Sequence, residues 1–193
     1  MVCASKLSKR YGLKRVLDKV DVQLDAGGFL LVTGPNGSGK TTLLRVLAGL
    51  DAPTSGEVLL PPRATIGYLG HEPHVYRELT PLENLHLFGR LYRVQDRAER
   101  IGMLLERFGL WSVRNELVTT FSRGMRQRLG LCRALLHEPS LVVLDEPFNA
   151  LDGEGAALLD RELAELRSSA TFVVATHDPD RVSALASSRL SFA

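Results

Sequence analysis

The tightest constraint on this chain is the stretch Gly34-Pro35-Asn36-Gly37-Ser38-Gly39-Lys40-Thr41-Thr42. The apolar run Phe29-Leu30-Leu31-Val32 stands before it, and Leu43, Leu44, Val46 and Leu47 follow at helical spacing. A strand that passes through a glycine-rich loop into a helix is compatible with few folds. Gly34, Gly39, Lys40 and Thr41 satisfy the phosphate-binding pattern G-x-x-x-x-G-K-[ST]. Glycines let successive backbone N–H groups turn inward and approach phosphate oxygens closely. The helix that opens near Gly39 adds unpaired N–H groups and a positive dipole end. Lys40 supplies a mobile charge for β- and γ-phosphates, and the Thr41 hydroxyl is placed to hold Mg²⁺. A bare glycine turn would need neither Lys40 nor Thr41.

The rest of the chain reads as α/β. Val2 to Leu24 forms two β segments around Tyr11-Gly12-Leu13-Lys14, with Val16, Val20, Val22 and Leu24 as apolar positions. The phosphate-loop helix runs from Lys40 to Ala48 and stops at Gly49. Glu57–Leu60 and Ala64–Leu69 are expected as short strands. Thr80, Pro81 and Glu83 form a capping box that opens a helix to about Arg93. Further helices are expected over Asp96–Phe108 and Ser122–His137. Leu141-Val142-Val143-Leu144 is a continuous apolar run, the mark of a strand buried on both faces. A helix over Ala156–Arg167, a strand over Thr171–Ala175 and a helix over Pro179–Ala186 complete the pattern.

Composition narrows the function. With 24 basic and 22 acidic residues, the net charge of +2 argues against a nucleic-acid partner, which needs a concentrated basic face. Apolar runs are too short to span a bilayer, and the start, Met1-Val2-Cys3-Ala4-Ser5-Lys6, has no hydrophobic signal core. Membrane association is therefore expected only through a partner, with no direct lipid anchor. Cys3 and Cys132 form no CxxC pair, so a reducing cytoplasm is the simplest setting.

A second cluster lies where the buried strand ends: Asp145, Glu146 and Pro147. A carboxylate at the C-terminal end of a parallel strand sits beside the phosphate loop in P-loop proteins. Asp145 is expected to hold Mg²⁺ through water, and Glu146 to polarise the water that attacks the γ-phosphate.

With these residues in place, the chain resembles the nucleotide-binding subunits of ABC transporters over nearly its whole length. The phosphate loop and Leu141 to Glu146 match that family's Walker A and Walker B motifs. Asn149-Ala150-Leu151-Asp152 resembles its D-loop, and His177 its switch histidine, which contacts the γ-phosphate. Tyr11 resembles the aromatic residue that stacks on adenine, and Val16 falls among the nucleotide-contacting positions. Phe121-Ser122-Arg123-Gly124-Met125 stands where the signature L-S-G-G-Q is expected, with Arg123 and Met125 departing from it. Ser122, Arg123 and Gly124 open a helix whose N–H groups can cradle an anion.

The resemblance implies a P-loop NTPase core with a mainly parallel sheet, a small antiparallel β subdomain and a helical insertion carrying the signature. It implies one ABC ATPase domain over 1–193, with a core lobe of 1–78 and 138–193 and a helical subdomain of about 79–137. ATP and Mg²⁺ are the expected cofactors. A head-to-tail homodimer, each signature capping the other copy's ATP, is the expected assembly. A membrane subunit is expected to dock near His71 to Leu85, holding the chain to the inner face of the cell membrane.

Other departures point to a subgroup. Gly56 to Tyr68 is shorter than the family usually has. His71 stands where most members carry a Gln that reaches Mg²⁺ or the attacking water, so His71 joins the expected catalytic set. His71, the stretch Leu79 to Leu85 and Phe148 are similar to the ATP-binding subunit of the haem exporter of cytochrome c maturation. The alternative is a generic ABC-2-type exporter subunit, since Ser122 to Leu129 also resembles those. Soluble ABC ATPases usually carry two cassettes or a long coiled-coil insertion, and this chain has neither. A P-loop kinase or GTPase leaves Ser122 to Gln127 and His177 unexplained. Arg123, Arg126, Arg128 and Arg133 read as a mostly solvated face, with Arg123 and Arg126 available to a dimer interface. His74, His86 and His137 read as surface or packing residues.

Overall fold

The computed structural model describes residues 1–192. β1 (Val2–Tyr11) and β2 (Lys14–Leu24) form an antiparallel hairpin, and β4 (Ser55–Leu59) pairs with the other edge of β1. The second sheet has five parallel strands. Its order is β5 (Ile66–Leu69), β6 (Leu141–Asp145), β7 (Thr171–Ala175), β3 (Phe29–Thr33) and β8 (Ser188–Ser191). Helix α1 (Lys40–Leu47) follows β3; α2 (Pro81–Leu91), α3 (Arg97–Arg107) and α4 (Arg123–Leu135) lie between β5 and β6; α5 (Gly153–Leu166) joins β6 to β7.

Alternation along the strands divides the core, because successive side chains point to opposite faces. Leu30, Val32, Val143 and Val173 pack with Leu43, Leu44 and Leu47 of α1 and with the antiparallel sheet. Phe29, Leu31, Leu144 and Phe172 pack with α2, α3, α4 and α5 through Leu85, Ile101, Leu129 and Leu159. On that side the Phe29 and Phe172 rings stack with centroids 5.6 Å apart.

The capping box forms as expected. The Glu83 N–H donates to Thr80 Oγ1 at 3.2 Å, and the Thr80 N–H donates to Glu83 Oε2 at 2.8 Å. Fully buried Asn84 pins the loop before α2: its Oδ1 accepts from the Tyr76 N–H at 2.8 Å, and its Nδ2 donates to the Tyr76 and Thr80 carbonyls.

Three expectations fail. Pro179–Ala186 is not a helix but a succession of tight turns closed by i+3 bonds such as Leu185 N–H to Val182 O at 3.0 Å. Ser183 Oγ there donates to the Asp180 carbonyl, the local competition that keeps such residues out of helix interiors. Ala64 and Thr65 belong to a 3₁₀ turn rather than a strand, so β5 starts at Ile66. Arg133 is not solvated. It is 8% exposed, donates to the Tyr68 carbonyl at 2.7 Å and lies 5.3 Å from the Phe88 ring centroid. A charge pattern cannot reveal a guanidinium that a backbone carbonyl and an aromatic face have accepted.

Candidate functional site

Strand register assembles the site. Asp145 is level with Ala175, Ala175 with Val32, and Leu144 with Leu69 across four adjacent parallel strands. The residues just past those levels therefore meet at one edge of the sheet. They are the Gly34–Gly39 loop after β3, Asp145 and Glu146 at the end of β6, His177 after β7 and His71 after β5. Ligands of open α/β sheets bind at this carboxyl edge.

A cleft of about 510 Å³ opens there. Val16, the loop residues Asn36, Gly37 and Gly39, and Lys40, Thr41 and Thr42 of α1 line it on one side; His71, Asp145, Glu146, Asn149 and His177 line the other. Gly34, Pro35 and Ser38 belong to the same loop but do not line the cleft. Tyr11 is not on the wall but beside it, close to Thr42. Ser122, Arg123 and Gly124 do not line this cleft. They sit at the start of α4, where Ser122 Oγ accepts from the Met125 N–H at 3.2 Å. Arg123 instead lines a neighbouring groove of about 360 Å³, which shares His71 and Asn149 with the first. Asn149, not singled out as a site residue from sequence, faces both spaces; its D-loop match was the available signal.

The loop's backbone demands glycine. Gly39 has φ +111°, and a Cβ there would stand 2.9 Å from Leu17 Cδ2 and 3.0 Å from the Val16 carbonyl oxygen. Lys40, 7% exposed, folds over the loop and donates to the carbonyls of Gly34 at 2.7 Å and Pro35 at 3.1 Å. That ties the ammonium to the carbonyls of the loop at the cleft wall.

Opposite stands Asp145, 2% exposed, with Oδ2 buried and without a hydrogen-bond partner. Burial pushes its carboxyl above the ordinary value; the Glu146 charge adds to this, while a hydrogen bond from Thr41 and the His71 and Lys40 side chains oppose it. A buried carboxylate with an unused oxygen is costly unless something binds it. Ser38 Oγ in the loop is likewise buried and partnerless. No group of three or more His, Cys, Asp or Glu side chains among the described residues could hold a metal unaided. The Thr41–Asp145 pair therefore fits an ion such as Mg²⁺ that takes only one or two protein ligands and completes its shell with phosphate and water.

Glu146, next along, has φ +51°. Its Oε2 accepts from the His177 N–H at 3.1 Å and lies 2.7 Å from His177 Nδ1. Gln127 of α4 braces the segment by donating to the Pro147 carbonyl at 3.2 Å.

A five-stranded parallel sheet with this loop, helix and carboxylate at its edge defines a P-loop NTPase fold. Residues 17–149 match the ABC transporter family, and the chain belongs to it as an ATP-binding subunit. It is 42% identical to the cytochrome c biogenesis ATP-binding export protein CcmA of Pseudomonas syringae pv. tomato, covering 84% of this chain and 82% of that protein. It is 38% identical to the uncharacterized ABC transporter ATP-binding protein YdbJ of Bacillus subtilis, covering 89% of this chain but only 59% of YdbJ. Among solved structures, the ATP-binding cassette MJ0796, dimeric in a post-hydrolysis state with ADP and Pi, superposes with a TM-score of 0.90 at 27% identity. That match covers 100% of this chain and 94% of MJ0796.

Proposed function

We propose that this chain hydrolyses ATP in the cleft between the Gly34–Gly39 loop and Glu146, and that it does so to drive a membrane transporter. The observation that carries the reading is Asp145: a buried carboxylate with an unpartnered oxygen on the wall of the cleft that Lys40 and Thr41 also line. In this reading the amides of Gly34, Pro35, Asn36, Gly37, Ser38 and Gly39 cradle the phosphates. Lys40 exchanges its loop carbonyls for β- and γ-phosphate oxygens, and Thr42 extends the row along α1. Tyr11 and Val16 meet the adenosine. Thr41 and Asp145, the latter through water, would hold Mg²⁺, which neutralises phosphate charge when bound. Glu146 takes a proton from water as its oxygen bonds the γ-phosphorus. The β–γ bridging bond breaks, and ADP keeps the electron pair. His177 holds Glu146 in place and shares the γ-phosphate environment; His71 takes the Gln position on the opposite wall.

The α4 tip lines no part of its own chain's cleft, so Ser122, Arg123 and Gly124 are free to cap the ATP of a second copy. The dimeric state of MJ0796 supports pairing of two copies, and this reading makes the pair head-to-tail. The chain works as one cassette, with 1–78 and 138–193 as core lobe and about 79–137 as helical subdomain. No helix among the described residues is long and apolar enough to cross a membrane. In this reading a membrane subunit enters the groove along His71 to Leu85 and keeps the cassette at the inner membrane face.

The system proposed is cytochrome c maturation, acting in haem export or in release of a haem-loaded chaperone. His71, Leu79 to Leu85, Phe148 and the similarity to CcmA support it. A generic ABC-2-type exporter is the second reading, favoured by the resemblance of Ser122 to Leu129 to such subunits. Tagged chain purified from gently solubilised membranes tests both. Recovery of cytochrome c maturation membrane subunits supports the first, recovery of an unrelated exporter the second, and no membrane protein at all contradicts transport. Lys40→Ala should abolish ATP binding or turnover in the same preparation.

A further inference from the structure

Tyr11 is held by residues that the proposed mechanism does not use. It ends β1 at the hairpin turn and remains 48% exposed. Its hydroxyl donates to Asp51 Oδ2 at 2.8 Å. Asp51 is in turn gripped by Arg45, whose Nε lies 2.9 Å from Oδ2 and Nη2 3.1 Å from Oδ1. This is the two-pronged geometry that fixes a carboxylate best. The Asp51 N–H also returns to the Arg45 carbonyl at 3.3 Å. Lys9 Nζ sits 5.1 Å from the centroid of the Tyr11 ring and is itself tied to the Ala52 carbonyl at 2.6 Å.

Such a network is unnecessary for packing. A tyrosine that stabilises a core buries its ring and finds one partner for its hydroxyl. Here the ring is half in solvent, while the groups behind it are locked. Arg45 draws the Asp51 carboxyl down to about 2, so the acceptor stays fully charged. Arg45 lies in the last turn of α1, the helix that opens at Lys40. The Tyr11 hydroxyl is also close to Thr42, a cleft-lining residue of the same helix. One helix thus carries the phosphate loop at its start and the clamp on Tyr11 near its end.

We propose that Arg45 and Asp51 are positioning residues for the nucleobase: they lock the Tyr11 ring to α1, so that one rigid element sets the span between base platform and phosphate cradle. This rests on the reading of Tyr11 as the base-stacking residue. Its consequence is specific. Losing the clamp should weaken ligands that carry a base and spare ligands that carry only phosphates.

The test is calorimetric binding of ATP and of inorganic triphosphate to the full chain and to Asp51→Ala, Tyr11→Phe and Tyr11→Ala. Asp51→Ala and Tyr11→Phe should each weaken ATP by about three- to tenfold and leave triphosphate within roughly twofold. The double variant should be no worse than either single one, as expected for partners in one interaction. Tyr11→Phe removes one oxygen from a half-exposed side chain, so it serves if Asp51→Ala does not fold. Equal weakening of both ligands would mean a distorted phosphate loop and would overturn the proposal. ATP binding unchanged in Asp51→Ala and Tyr11→Phe but lost in Tyr11→Ala would overturn it too, leaving base stacking intact. ATP binding unchanged in Tyr11→Ala would remove the stacking reading itself, and the clamp with it.

Discussion

His177 Nδ1 lies 2.7 Å from Glu146 Oε2, and the same oxygen accepts the His177 backbone N–H at 3.1 Å. One residue therefore holds the carboxylate twice, once through a ring that is 65% exposed and once through the main chain of the β7 exit. The main-chain bond survives loss of the ring. His177→Ala should accordingly slow turnover by roughly ten- to a hundredfold, less than Glu146→Gln, which removes the base itself and costs about 10²–10⁴. Single-turnover ATP hydrolysis by both variants checks the order; a His177→Ala defect larger than that of Glu146→Gln would reverse the assignment.

Asp145 links activity to instability. Its buried carboxyl is raised above the ordinary 3.8, so at neutral pH the charged form costs the nucleotide-free fold free energy. Asp145→Asn should abolish hydrolysis yet raise stability without ligand in denaturant melts. The sign with pH follows. The gain should be largest near neutrality and shrink as pH falls through the raised carboxyl value, where Asp145 itself becomes neutral. An Asp145→Asn protein that melts earlier than the parent at pH 7 would be the contrary result.

His137 gives a separate acid sensitivity. Its ring stacks on Tyr92 with centroids 4.1 Å apart, and Nε2 lies 3.2 Å from the Ile66 carbonyl oxygen. Burial lowers its value below 6.5; the hydrogen bond to Ile66 opposes this, and Arg133 and Arg100 add to the lowering. The unfolded chain therefore takes up the proton first, and stability falls as pH drops below about 6.5. His137→Phe keeps the stack and removes the titration. Its stability should decline less than the parent's between neutral and mildly acidic pH.

The phosphate loop has a steric test that does not depend on chemistry. Gly39→Ala puts a Cβ at φ +111° within 3.0 Å of the Val16 carbonyl oxygen. The cost should be about 1–3 kcal/mol. ATP binding should fall with it, because Val16 and Gly39 both line the cleft. Gly153→Ala is the control: a Cβ there meets nothing within 4 Å, and stability should be little changed.

How much of this was legible in the sequence depended on how local each signal was. The Gly34–Thr41 loop, the Thr80 capping box and the buried run Leu141–Leu144 are dictated within a few residues, and the structure has all three elements in place. The edge strand Ser188–Ser191 was missed because Leu190 is its only apolar residue, and its pairing with Leu30–Thr33 is purely long-range. The same pairing explains the false helix at Pro179–Ala186. Ser187 must reach Phe29, whose N–H donates to Ser187 Oγ at 2.9 Å, and the chain turns tightly to deliver it. The Arg45–Asp51 clamp and buried Arg133 were hidden for a related reason: their partners, Tyr11 and Tyr68, are tens of residues away.

The most direct measurement is the mass in solution of Glu146→Gln with ATP and Mg²⁺, by sedimentation or light scattering, with and without the added change Ser122→Arg. Glu146→Gln alone should be a single chain without nucleotide and twice that mass with ATP·Mg²⁺. Ser122→Arg, which blocks the α4 tip, should return it to one chain while ATP still binds. A Glu146→Gln protein that binds ATP·Mg²⁺ and stays monomeric, or a pair indifferent to Ser122→Arg, would contradict completion of the site by a second copy.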